Sequence, residues 1–80
     1  MFYIYILKSE LDGKLYTGFT GNLKKRISEH NNGRVESTKN RRPLELIYYE
    51  AYREKENALK REKFLKTTKG KRQLKKQIPV

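Results

Sequence analysis

The chain has 80 residues and no cysteine, which excludes disulfides and thiolate metal sites and leads to the expectation of one domain over residues 1–80. Leu, Ile, Val and Phe fill 19 positions, above the ~20% level below which a chain stays disordered, so a core is feasible but thin. Twenty Lys and Arg against nine Asp and Glu leave a net charge of +11, a field that attracts polyanions.

In chain order, Phe2 to Leu7 is β-branched and aromatic and predicts a strand. Lys8 to Gly13 is polar and ends in Asp12-Gly13, a hairpin turn signal. Lys14 to Thr20 alternates Leu15, Thr17 and Phe19 with Lys14, Tyr16 and Gly18, so a second strand should pair antiparallel with the first. Asn22 is placed to cap a helix carrying Leu23, Ile27 and His30, and Asn31-Asn32-Gly33 ends it. Arg34 to Arg42 has no apolar period and reads as an exposed, mobile loop. Leu44 to Tyr52, after Pro43, reads as a third strand. A long helix follows from about Glu54, with Ala58, Leu59, Glu62, Leu65 and Lys66 forming an apolar stripe and a polar edge. Thr67-Thr68 interrupts it before a last helix from Lys69 to Gln77, and Pro79 closes the chain. The order β-β-α-β-α-α predicts an α+β fold, a three-stranded antiparallel sheet flanked by helices.

The longest apolar run, Tyr3 to Leu7, is far shorter than the ~20 residues of a membrane span, and it lacks the flanks of a signal peptide. No segment joins a broad apolar face to a basic one, as an interfacial helix would. The expected partner is therefore a nucleic acid, DNA or structured RNA, with no membrane, and the expected setting is the cytoplasm.

The residue inventory removes several kinds of enzyme. A thiol nucleophile, a histidine metal cluster and a P-loop are all missing, and a single Asp with scattered Glu cannot build a two-metal nuclease centre. What remains is Tyr5 and Tyr16 on neighbouring strands, Lys14 on the face of Tyr16 by the period of two, Arg26 and His30 four apart on one helix face, and the helical Glu62. A phosphodiester site could use all of them: a phenol to accept a water proton, a guanidinium for the phosphorane charge, and a carboxylate for one divalent cation.

Tyr3-Ile4-Tyr5, Tyr16-Thr17-Gly18, Arg26, His30 and Glu62 followed by Lys66 together resemble the GIY-YIG nuclease superfamily, over almost the whole chain. The likeness is greatest to small stand-alone members akin to the N-terminal nuclease module of the bacterial excinuclease. The leading glycine of the first signature is Tyr3 here, and the central Ile of the second is Thr17. The resemblance implies a metal-dependent DNA endonuclease of repair or recombination. It casts Tyr5 and Tyr16 as the residues that orient or activate water, Arg26 as the catalytic arginine, and His30 as the helical His or Tyr. Glu62 would be the ligand of one Mg²⁺ or Mn²⁺, and Gly18 a position where a missing side chain admits a helix or phosphate. Basic residues of the loop (Arg34, Lys39, Arg41, Arg42) and of the C-terminal segment (Lys66, Lys69, Lys71, Arg72) would grip the backbone, with Lys14 or His30 assisting the chemistry.

Taken singly, the tyrosines are packing residues, Arg26 and His30 a solvated helix face, and Glu62 an i,i+4 partner of Lys66. One active site explains their joint occurrence, in order, where the separate readings are independent of one another. The other reading is a non-catalytic module that keeps the fold and binds DNA or RNA through charge.

Overall fold

The computed structural model describes residues 1–78, so Pro79 lies outside the described residues. The elements run β1 (Phe2–Ser9), β2 (Leu15–Thr20), α1 (Leu23–Asn31), a 3₁₀ turn (Lys39–Arg41), β3 (Leu44–Tyr52), α2 (Lys55–Leu65) and α3 (Thr68–Gln77). The architecture is the expected α+β one. The sheet order is β2-β1-β3, and both pairings are antiparallel, so β1 is central and β2 is an edge.

Because alternate residues of β1 face opposite ways, its two faces build two cores. Ile4 and Ile6 pack with Ala58, Leu65, Leu74 and Ile78, which seats α2 and α3 on one face. Tyr5 and Leu7 pack with Leu44 and, at the margin, Tyr16, Leu23 and Ile27, which seats α1 on the other. Among the described residues no helix is long and apolar enough to cross a membrane.

The first strand runs two residues past its expected end because Ser9 is anchored from both sides. Its hydroxyl donates to Arg41 O at 2.6 Å and accepts the N–H groups of Leu11 and Asp12. The turn closes with Gly13 at φ +71°, and Asp12 Oδ1 accepts the Lys14 N–H, so β2 starts at Leu15 instead of Lys14. The caps fall where the sequence puts them: Asn22 Oδ1 accepts Lys25 N–H at 3.1 Å, and Thr67 Oγ1 accepts Gly70 N–H at 3.0 Å.

Two expectations are corrected. Residues 34–42 are not a freely exposed loop, because Val35 and Thr38 are buried and Thr38 bonds to His30. Leu59 is exposed, since the buried stripe of α2 runs through Ala58 and Leu65 and Leu59 turns about 100° away from Ala58.

Candidate active site

Tyr5 is the hub of the site. It stands opposite Gly18 in the β1–β2 register, and its ring crosses directly over that glycine. A Cβ on Gly18 would meet Tyr5 Cζ and Oη at 2.3 Å. The glycine is therefore there for the phenol, and neither the helix nor the phosphate expected at this position fills the space.

The Tyr5 hydroxyl lies 2.8 Å from His30 Nε2, and His30 Nδ1 lies 2.7 Å from Thr38 Oγ1. Both rings are almost fully buried, Tyr5 at 1% and His30 at 0% exposure. Burial first, and then the Arg26 charge, lowers His30 from its ordinary value to about 4, so the ring is neutral at pH 7. A neutral imidazole donates through one nitrogen and accepts through the other, which links Tyr5, His30 and Thr38 in a chain with no unpaired ring nitrogen. The Tyr16 ring closes the group, its centroid 5.2 Å from His30 edge-on and 6.4 Å from Tyr5.

Opposing influences act on Tyr5. Burial raises its pKa; Arg26 lowers it, and the neighbouring Tyr16 and the Glu62 carboxylate raise it further. The net direction is upward, so Tyr5 is a protonated phenol at pH 7. Arg26 is held on α1 by Glu29 at 3.2 Å and lies close to Tyr5, although the two make no well-formed hydrogen bond. The guanidinium also lines a surface hollow with Phe19, Thr20, Asn22, Lys25 and Glu29. Glu62, on α2, pairs with Lys66 at 3.2 Å and keeps about a fifth of its side chain exposed.

Among the described residues no three His, Cys, Asp or Glu side chains gather as a metal site. The Glu62 charge acts on Tyr5 and the Glu29 charge on His30, with Glu29 paired to Arg26 and Glu62 to Lys66. One accessible carboxylate suits a hard cation such as Mg²⁺, which keeps several waters and takes its remaining ligands from phosphate. The donor set fits one ion of that kind and would not make a closed cage.

The remaining residues read from the sequence are dispersed. Lys14 precedes β2, where the period of two does not reach, and it lines a groove with Leu15 and Thr17 outside the tyrosine cluster. In the 34–42 segment three of the four basic residues are engaged. Lys39 pairs with Glu36, Arg41 pairs with Asp12, and Arg42 donates to Lys39 O at 2.8 Å with its guanidinium over Gly33. Arg41 Nη2 is buried with no hydrogen-bond partner among the described residues. Arg34 is exposed and makes no ion pair among them. Lys66 is occupied by Glu62, whereas Lys69, Lys71 and Arg72 are exposed on α3.

A second polar cluster has no counterpart in the sequence reading. The Glu50 carboxylate accepts from Arg61 Nε at 3.0 Å and Nη2 at 3.1 Å, and from the hydroxyls of Tyr48 and Tyr52. It joins β3 to α2 one residue before Glu62. The alternation of Tyr48, Glu50 and Tyr52 on one strand face was the available signal, but their partner lies on a helix eleven residues away.

Comparison with known proteins gives the family of the chain. The model of the GIY-YIG catalytic domain matches residues 1–76. A UPF0213 protein of Staphylococcus saprophyticus is 49% identical over 74 residues, covering 91% of this chain and 89% of that protein. One from Clostridium perfringens is 48% identical over 67 residues, 82% of this chain and 71% of its own. The solution structure of the UPF0213 protein BH0048 from Bacillus halodurans superposes with a TM-score of 0.57 at 36% identity, covering 92% of this chain and 82% of that one. The chain belongs to the GIY-YIG family, a nuclease family whose substrates are nucleic acids.

Proposed function

We propose that the chain is a metal-dependent DNA endonuclease of the cytoplasm, hydrolysing phosphodiester bonds in repair or recombination. The observation that carries this reading is the convergence on Tyr5, in β1, of Tyr16 from β2 and of His30 from α1, with Arg26 beside them. Three elements meet where a single packing contact would have needed two.

In this reading a phosphodiester enters the hollow beside Arg26, and the guanidinium donates to its non-bridging oxygens. The same donors hold the charge that grows as water attacks. Tyr16, half-buried, is the phenol able to reach that water and orient it or take its proton. Tyr5 and His30 are too buried to touch the substrate and act as positioning residues: His30 fixes the Tyr5 hydroxyl, and the Tyr5 ring packs beside Tyr16. Glu62 would hold one Mg²⁺ or Mn²⁺, which when bound supplies positive charge at the leaving oxygen. Lys14 has no part in the chemistry.

The test is plasmid cleavage and DNA binding by Glu62→Ala and Arg26→Ala beside the parent. Both should lose cleavage by about 100-fold or more, and Glu62→Ala should keep its DNA affinity. Cleavage unchanged in both variants would remove Glu62 and Arg26 from the chemistry, and binding by a parent that never cuts would replace this reading with a charge-driven binding module.

A further inference from the structure

A groove runs between the β1–β2 turn and α3, on the sheet face opposite α1. Lys8, Lys14, Lys71 and Lys75 surround it, and Leu74 and Thr17 are among the residues that line it. No acidic side chain lines it, and none of the four lysines forms an ion pair among the described residues. Glu45, opposite Lys8 in the β1–β3 register, is also outside it. Lys71 and Lys75, four apart, repel each other on one face of α3, and Lys8 and Lys14 add to that repulsion from the hairpin. An anion in the groove relieves it. Thr17 adds a hydroxyl for a phosphate oxygen, and a buried Leu74 gives a sugar an apolar wall.

The groove and the Arg26 hollow lie at opposite ends of β2, the edge strand. Leu15 and Thr17 line the first, and Phe19 and Thr20 the second. From Leu15 to Thr20 is about 17 Å at ~3.4 Å per residue. A nucleic-acid backbone that passes the Arg26 hollow can therefore follow β2 to the groove.

We propose that this lysine groove is a second site for backbone phosphates, which holds the DNA along the edge strand beyond the Arg26 hollow. It rests on the nuclease reading only for what happens at that hollow; phosphate binding in the groove needs no cleavage.

The experiment is binding of a fluorescent duplex of about 16 base pairs, followed by anisotropy from about 50 to 300 mM salt in EDTA, where nothing is cut. The proteins are the parent, Lys8→Gln/Lys71→Gln/Lys75→Gln, and the charge-matched Arg53→Gln/Lys55→Gln/Lys60→Gln, whose residues lie outside both sites. Each phosphate contact contributes about 0.9 to the slope of log K against log salt. The groove variant should lose about 2–3 from that slope and roughly tenfold or more in affinity at about 100 mM salt, and the matched variant less than about 1 in slope. Equal slopes for groove and matched variants would overturn the proposal, leaving only net charge. Inorganic phosphate titrated by NMR supplies the other source. If it shifts groove amides at submillimolar concentration while the DNA slope is unchanged in the groove variant, the site takes free phosphate and the proposal fails. Cleavage by the parent, measured separately with Mg²⁺, decides the nuclease reading independently of either result.

Discussion

At the scale of single residues, Gly18 and Tyr5 define one another. Gly18 lies in a β-strand outside the positive-φ region, so no backbone conformation demands it; only the phenol 2.3 Å from where its Cβ would stand does. Gly18→Ala forces Tyr5 out of its bond to His30, and overpacking of this kind costs about 1–3 kcal/mol. We expect a midpoint in urea lowered accordingly with an unchanged m-value, and cleavage lost well below the denaturation threshold; an alanine variant as stable as the parent contradicts the close approach. The sequence carried the glycine and the tyrosine as separate signature positions, but not the contact, because a strand pattern gives faces and not the tilt of a ring. Gly70 is a similar case: a Cβ there would lie 2.0 Å from Phe64 O, so the residue sets how closely α3 approaches the end of α2, and no sequence period announced it.

At the scale of elements, the decisive interaction is the one that fixes the roll of α2. Arg61 grips Glu50 of β3 through two nitrogens while Glu62, the next residue, pairs with Lys66. Burial raises the Glu50 carboxyl, but Arg61 and the two phenols outweigh it and hold it below the usual carboxylate range. The Tyr52 phenol goes the other way, pushed up to about 12 by burial and then by the Glu50 charge. Glu50→Gln removes the charge from this cluster and should cost about 2 kcal/mol, since hydrogen bonds to a half-buried ion are among the stronger ones. In ultraviolet titration the Tyr52 midpoint should fall part of the way toward about 10; no movement would mean that burial alone holds it up. The helices, their caps and the three strands were legible from period and cap chemistry, to within one or two residues. The Arg34 to Arg42 segment was not, because its one buried apolar residue, Val35, and Thr38 give no period; they are drawn inward by His30 and the sheet.

For the molecule as a whole, charge and one histidine set the response to solution conditions. His30 is about 4 folded and ~6.5 unfolded, so between those values the unfolded chain binds the proton and the folded chain does not. Stability is therefore full above about pH 6.5, falls as pH drops toward about 4, and by about pH 5 is lower by about 2 kcal/mol. Urea unfolding at pH 7 and pH 5 should show this difference in the parent and lose it in His30→Gln, which has no histidine titrating in that window; an equal loss in the variant would place the proton elsewhere. The +11 net charge was legible at once as a call for a polyanion, but not its distribution. The structure ties up Lys39, Arg41 and Arg42 within the chain and gathers the hairpin and α3 lysines round one groove, apart from the other exposed basic side chains. The measurement that bears most directly on the site is cleavage of supercoiled, single-stranded and branched DNA by the parent, with Mg²⁺, with Mn²⁺ and with EDTA. Cutting of at least one substrate that needs the metal and disappears in Glu62→Ala is the predicted result. Intact DNA of all three kinds under every metal condition, with salt-sensitive binding retained, would contradict it.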